Sequence, residues 1–248
     1  MIRLLVDSNI LNKDIIELGG EYHHKLLRVL KVRVGDKVEL IDGRGTIFET
    51  EIYSTSKTTT SLKPINKKFI PKPKTEITLI QAIAKGDRFD FVIQKATELG
   101  VSRIAPIITR RTVVKIPKNK EKGKVERWRE IARHALEQSG LAWLPEIDEP
   151  KSFEDFIRSF KASKLNLFFY EEEKQNSIKE VWPASTPENI SILIGPEGGF
   201  DPAEAGLATK AGFRSLSLGK TIFRTDTAPL VALSIVQFLT GNLRHPEA

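Results

Sequence analysis

The chain has 248 residues, 40% of them hydrophobic, and carries a formal net charge of +7. That length holds one large domain or two smaller ones, each able to bury a core, and the basic excess suits a polyanionic partner such as nucleic acid. Cysteine is absent from the sequence, which excludes disulfides, thiolate catalysis and cysteine-held zinc or iron–sulfur centres.

The four histidines, His23, His24, His134 and His245, show no HExxH spacing, so no metal site is expected. The first residues lack the charged-then-apolar order of a signal peptide, and no apolar run approaches membrane-spanning length. A soluble cytoplasmic protein is the expectation.

Residues 1–70 read as β-rich. Residues 37–41 (KVELI) and 47–53 (IFETEIY) alternate apolar and polar side chains, as half-buried strands do. Asp42-Gly43-Arg44-Gly45 between them reads as a hairpin turn. Before them, residues 23–31 form a short basic helix. A small β-barrel is the expected architecture. Residues 63–74 then hold five lysines, three prolines and no acid, the composition of a domain boundary. The chain therefore divides into a first domain over 1–70, a linker over 71–75 and a second domain over 76–248.

From Glu76 strands and helices alternate. Strands are expected at 77–83, 104–108, 165–169, 190–194 and 215–218. Phe89, Val92, Ile93, Ala96 and Leu99 make a helical stripe closed by Gly100, and Trp128, Ile131, Ala132, Ala135 and Leu136 make another before Gly140. A last helix over 228–239 is apolar on most sides and should be buried. This alternation argues for an α/β domain with a mainly parallel sheet.

Two stretches carry the chemistry. In Ile192-Leu193-Ile194-Gly195-Pro196-Glu197-Gly198-Gly199-Phe200 an apolar strand stops in a glycine-rich turn. Asp201, Pro202 and Glu204 then read as a capping box with proline at the first helical position. Such a turn offers backbone N–H groups at a strand's carboxyl end, where open α/β sheets bind ligands. The second stretch is Leu218-Gly219-Lys220-Thr221-Ile222-Phe223-Arg224-Thr225-Asp226-Thr227-Ala228. Its Gly-Lys-Thr invites comparison with a P-loop, but that motif needs a glycine five residues before Gly219, where Arg214 stands. Arg224 and Asp226 are either a charge pair facing a pocket or a surface pair in which Asp226 caps the last helix. Arg110, Arg111, Lys115, Lys118, Lys120, Lys122 and Lys124 form a basic run, either a solvated loop or a phosphate-tracking surface.

Taken together, these stretches resemble one family, the bacterial small-subunit ribosomal RNA uridine-N3 methyltransferases of the RsmE type in the SPOUT superfamily. The resemblance rests first on His24, Arg28-Val29-Leu30, Gly35-Asp36 and Asp42-Gly43. In the middle it rests on Lys85-Gly86-Asp87-Arg88, residues 94–101 (QKATELGV), Arg127-Trp128 and residues 137–140 (EQSG). At the end it rests on residues 195–200 (GPEGGF), 217–219 (SLG) and 224–228 (RTDTA). The chain departs from the family at Asp226, where glutamate is common, at Phe223, where leucine is usual, and at Thr109-Arg110-Arg111 and Leu141.

The resemblance implies a PUA-like RNA-binding β-barrel followed by a SPOUT methyltransferase domain tied in a trefoil knot, working as a homodimer. Its cofactor would be S-adenosylmethionine (SAM), held by Leu193, Ile194, Gly195, Pro196, Glu197, Gly198, Gly199, Leu216, Leu218, Gly219, Ile222, Phe223, Arg224, Thr225 and Ala228. Its substrate would be one uridine in helix 44 of 16S rRNA, at the decoding centre of the small ribosomal subunit. RNA contacts are expected from His24, Arg28, Lys31, Arg88, Arg110 and Arg111. Uridine N3 must lose a proton, so a cation and a base are required. Arg224 is the candidate cation, with Asp226 and Glu197 the candidate bases. A sugar 2′-O-methyltransferase of the same superfamily and a non-catalytic RNA-binding assembly factor are the alternatives.

Overall fold

The computed structural model describes residues 2–11 and 13–243, apart from the side chain of Lys118; His245 lies outside them. The chain separates into two compact units, one over 1–72 together with 136–144 and the other over 73–135 and 145–248.

The first unit is a five-stranded sheet in the order β1-β3-β4-β5-β2. Its strands are β1 (Ile2–Leu5), β2 (Ile16–Gly19), β3 (Lys37–Ile41), β4 (Thr46–Thr55) and β5 (Thr59–Phe69). The β3–β4 hairpin turns at 42–45, with Asp42 accepting from the backbone N–H groups of Arg44 and Thr46. All five strands send apolar residues into one cluster, among them Leu4, Leu18, Leu40, Ile52 and Leu62. The edge strands β1 and β2 lie at opposite ends of the order. The lysine- and proline-rich stretch is not all linker, because β5 runs on to Phe69. Pro64 is accommodated where the β4–β5 register shifts, since a bulge tolerates the missing donor. The expected basic helix is α1 (Gly20–His24) running into a π-helical turn, Lys25–Val29. Lys25 there pairs with Glu137 at 2.7 Å.

The second unit holds an all-parallel sheet in the order β12-β10-β11-β6-β7-β8, with β9 also pairing β7. The strands are β6 (Glu76–Ala82), β7 (Arg103–Ile108), β8 (Glu146–Ile147), β9 (Lys151–Ser152), β10 (Leu165–Phe169), β11 (Asn189–Ile194) and β12 (Arg214–Leu216). β10 is buried at every position and β11 at all but its first, which is why both read as short continuous apolar runs. The helices are α2 (Arg88–Glu98), α3 (Lys118–Ser139), α4 (Phe153–Ser159), α5 (Ile178–Val181), α6 (Pro202–Lys210) and α7 (Ala228–Thr240).

Two sequence expectations need correction here. α3 begins at Lys118, so much of the basic run is helix rather than loop. α7 buries Ala232, Leu233 and Val236, but Phe238 is 74% exposed. It borders an apolar groove with Ile178, Trp182, Ile235 and Leu239.

Candidate active site

The glycine turn at the end of β11 folds on itself for two reasons. The Gly199 N–H donates to the Pro196 carbonyl at 3.0 Å. The Phe200 ring lies so close beneath Gly195 that a Cβ there would come within 2.9 Å of it. Phe200 is fully buried and meets Phe168 and Phe153 edge-on, with centroids 5.0 and 5.4 Å apart. Gly199 has φ +69°, and a Cβ on it would sit 1.7 Å from Glu171 Oε1. A side chain there would be strained by the left-handed backbone and would displace the Glu171 carboxylate. The α6 capping box forms as read from the sequence, with Asp201 and Glu204 exchanging bonds with each other's backbone.

The second stretch is fastened to the first. Thr225 Oγ1 donates to the Gly195 carbonyl at 2.8 Å and accepts from Gln81 Nε2 at 3.3 Å. Gln81 lies fully buried in β6, and its Oε1 has no partner among the described residues. Arg224 O accepts from the N–H groups of Thr227 and Ala228 at 2.9 and 2.8 Å, turning the chain into α7.

Between these stretches and the end of β10 opens a cleft of about 450 Å³. It stands at the carboxyl ends of parallel strands, the usual ligand position in such sheets. Ile194, Gly195, Pro196, Glu197, Gly199, Leu218, Gly219, Ile222, Phe223, Arg224, Thr225 and Ala228 line it, as the sequence reading placed them. Arg88, expected at RNA, is in the same wall. Leu193 and Leu216 are fully buried behind it.

The other expected residues lie elsewhere. Gly198 is backed by Arg111, whose guanidinium donates to the Gly198 carbonyl at 3.0 Å. Asp226 is outside the lining, and its carboxylate accepts from Thr227 Oγ1 at 3.4 Å. It does not cap α7, whose N-cap is Thr227. Arg110 is held by carboxylates, 3.2 Å from Asp201 and 3.5 Å from Glu154. His24 ends α1 and Arg28 lies in the π-turn of the first unit, while Lys31 takes a left-handed φ of +54°.

The charges around the cleft are unevenly satisfied. Glu197 accepts from the Lys85 N–H at 3.1 Å and from Arg88 at 3.4 Å. Arg224 is exposed, with no side-chain partner among the described residues. Burial, and then a bond to Glu172, push the Tyr170 hydroxyl up to about 12. Glu173 is held down to about 2 by the Ser215 hydroxyl and by the N–H groups of Gln175 and Asn176. Fully buried Glu204 is shifted upward, because desolvation outweighs the N–H bonds from Arg110 and Asp201.

The sequence reading missed Phe169, Tyr170 and Glu171, all in the lining, whereas Ser217 and Thr221, also there, fall within the stretches it singled out. A signal for the first three existed. The strand at 165–169 ends directly in Tyr170-Glu171, and carboxyl ends of neighbouring strands share one ligand crevice.

Comparison with known proteins agrees with this geometry. An RNA methyltransferase domain profile matches residues 71–237, and an RNA methyltransferase PUA domain profile matches 19–65. The Bacillus subtilis ribosomal RNA small subunit methyltransferase E is 31% identical over 98% of this chain and 97% of its own length. The Synechocystis protein of the same name is 31% identical over 96% of this chain and 77% of its own. A Legionella pneumophila methyltransferase solved with bound SAM superposes with a TM-score of 0.87, at 33% identity over 96% of this chain and 97% of that one. The Neisseria gonorrhoeae ribosomal RNA small subunit methyltransferase E, bound to S-adenosyl methionine, gives 0.85 at 30% identity over 96% and 98%. The chain belongs to the ribosomal RNA small subunit methyltransferase E family, with an RNA methyltransferase domain and a PUA domain.

Proposed function

We propose that this chain transfers the methyl group of SAM to N3 of a uridine in 16S rRNA of the small ribosomal subunit, at the decoding centre in helix 44. The observation that carries the reading is the cleft itself, in which two separate loops are joined by Thr225 at the carboxyl ends of β10 and β11.

The residues present suit the cofactor. The volume falls within the range of small-molecule sites. Ile194, Leu218, Ile222 and Phe223 supply apolar walls, while a side chain at Gly195 would strike the Phe200 ring and one at Gly199 would strain the left-handed backbone. Bound SAM would supply an activated methyl group together with its own leaving group. The protein's part is alignment and charge. Arg224, whose side chain is exposed at the cleft and has no partner among the described residues, holds the anion that develops on the uracil carbonyls. Glu197 lines the cleft and Asp226 does not, which favours Glu197 as acceptor of the N3 proton, with Arg88 orienting its carboxylate. Because N3 lies on the pairing edge, the uridine must enter unpaired or flipped out.

The same reading takes the first domain as a PUA-like barrel over 1–70, joined through 71–75 to a methyltransferase domain over 76–248. RNA phosphates would be met by His24, Arg28, Lys31, Arg88, Arg110 and Arg111. A trefoil knot is supported by β11 lying between β10 and β6, with residues 222–228 returning to Gly195. A homodimer is supported by the exposed apolar edge of α7 around Phe238.

Calorimetric titration with SAM tests the cofactor assignment, with Gly198→Val as the control, since a Cβ there already meets Arg111 Cβ at 3.3 Å. Binding in the micromolar range that the variant loses is expected. A wild-type protein that does not bind contradicts the reading.

A further inference from the structure

The Glu171 carboxylate is the least explained charge in the cleft. One oxygen, Oε1, accepts from the Phe200 N–H at 3.1 Å and occupies the space that a side chain at Gly199 would need. The other, Oε2, has no hydrogen-bond partner among the described residues. No lysine or arginine among them pairs with Glu171 either. Arg88 takes Glu197, Arg111 takes the Gly198 carbonyl, and Arg224 is directed to neither. Glu171 is exposed, and it lines the cleft.

An acid beside a glycine turn serves as a loop clamp with one oxygen. A glutamine would do that equally well. The unengaged oxygen faces a cleft whose nearby guanidinium groups are not paired with it, so it is open to a positive group on a bound ligand. We propose that Glu171 is a binding and positioning residue whose free carboxylate oxygen contacts a cationic centre of the bound cofactor, its sulfonium or its ammonium, while the other oxygen fixes the glycine turn. This rests on the SAM reading of the cleft. Charge-assisted bonds of this kind are stronger than neutral ones, so Glu171 would favour charged adenosine ligands over neutral ones of the same shape.

The test is calorimetry on the full chain with three probes: SAM, S-adenosylhomocysteine and 5′-methylthioadenosine. SAM carries both cations, S-adenosylhomocysteine only the ammonium, and 5′-methylthioadenosine neither. Glu171→Gln keeps an acceptor for the Phe200 N–H and removes the charge. It is expected to weaken SAM about tenfold while leaving 5′-methylthioadenosine within about twofold of wild type. An accompanying loss for S-adenosylhomocysteine assigns the contact to the ammonium, and unchanged S-adenosylhomocysteine assigns it to the sulfonium. Equal weakening of all three ligands, or of none, overturns the proposal and leaves the cofactor reading intact. A wild-type protein that binds none of them overturns both. Circular dichroism melting of Glu171→Gln close to wild type separates lost charge from lost fold.

Discussion

Thr225 Oγ1 donates to the Gly195 carbonyl at 2.8 Å, so one hydroxyl joins two loops 30 residues apart in sequence. Thr225 is 5% exposed and also receives Gln81 Nε2. Valine in its place would leave the half-buried Gly195 carbonyl without its donor and remove one of the two bonds of the Gln81 amide, which also donates to the Ala82 carbonyl at 3.0 Å. Thr225→Val should cost about 1–3 kcal/mol of stability and weaken SAM binding about tenfold or more. Thr225→Ser should keep most of both. Thermal melting and calorimetry on the two variants check this.

Gly199 and Gly206 make a contrasting pair. Gly199 has φ +69° and Glu171 Oε1 pressed against it, whereas a Cβ at Gly206, inside α6, meets nothing within 4 Å. Gly199→Ala should lose about 1–3 kcal/mol and abolish measurable cofactor binding. Gly206→Ala should gain about 0.5–1 kcal/mol from helix propensity and bind as wild type. Denaturant unfolding of both variants beside the wild type gives the comparison.

Glu173 ties the segment after β10 to Ser215 of β12, with Ser215 Oγ donating to its carboxylate at 2.5 Å. Its folded pKa of about 2 lies below the ordinary 4.5. The stabilisation is therefore complete above about pH 4.5 and is lost as pH falls through about 2. Allowing for solvent screening, it is worth about 1–2 kcal/mol. Glu173→Gln should melt lower at about pH 6 and approach wild type toward about pH 2. Parallel melting of both proteins across that range reads it directly.

The Arg224 side chain has no partner among the described residues, so its removal should spare the fold. Arg224→Ala is expected to keep its melting temperature and its SAM affinity within about threefold, yet to lower kcat/KM about 10²–10³-fold. Equal loss of binding and turnover would instead make it a cofactor ligand alone.

Much of this site was legible because its signals are local. Gly195 to Gly199, the Asp201–Glu204 box and the apolar runs of β10 and β11 each announce themselves within a few residues. What escaped depends on contacts far apart in sequence. Glu171 matters through Phe200, 29 residues on, and Gln81 through Thr225, 144 residues on. No periodicity encodes such pairings. Asp226 failed to cap α7 because the chain had already turned at the Arg224 carbonyl, leaving Thr227 at the N-cap. Phe238 looked like core because a helix that is apolar on most sides does not reveal which of its faces the rest of the chain covers.

Methyl transfer to RNA is the most direct test of the central claim. Small ribosomal subunits lacking the modification would be incubated with the protein and isotopically labelled SAM, and the digested nucleosides resolved by mass spectrometry. Labelled 3-methyluridine from a single 16S rRNA position, absent with Arg224→Ala, is the expected product. Label on the ribose 2′-oxygen, or no label in a preparation that binds SAM, would contradict the claim.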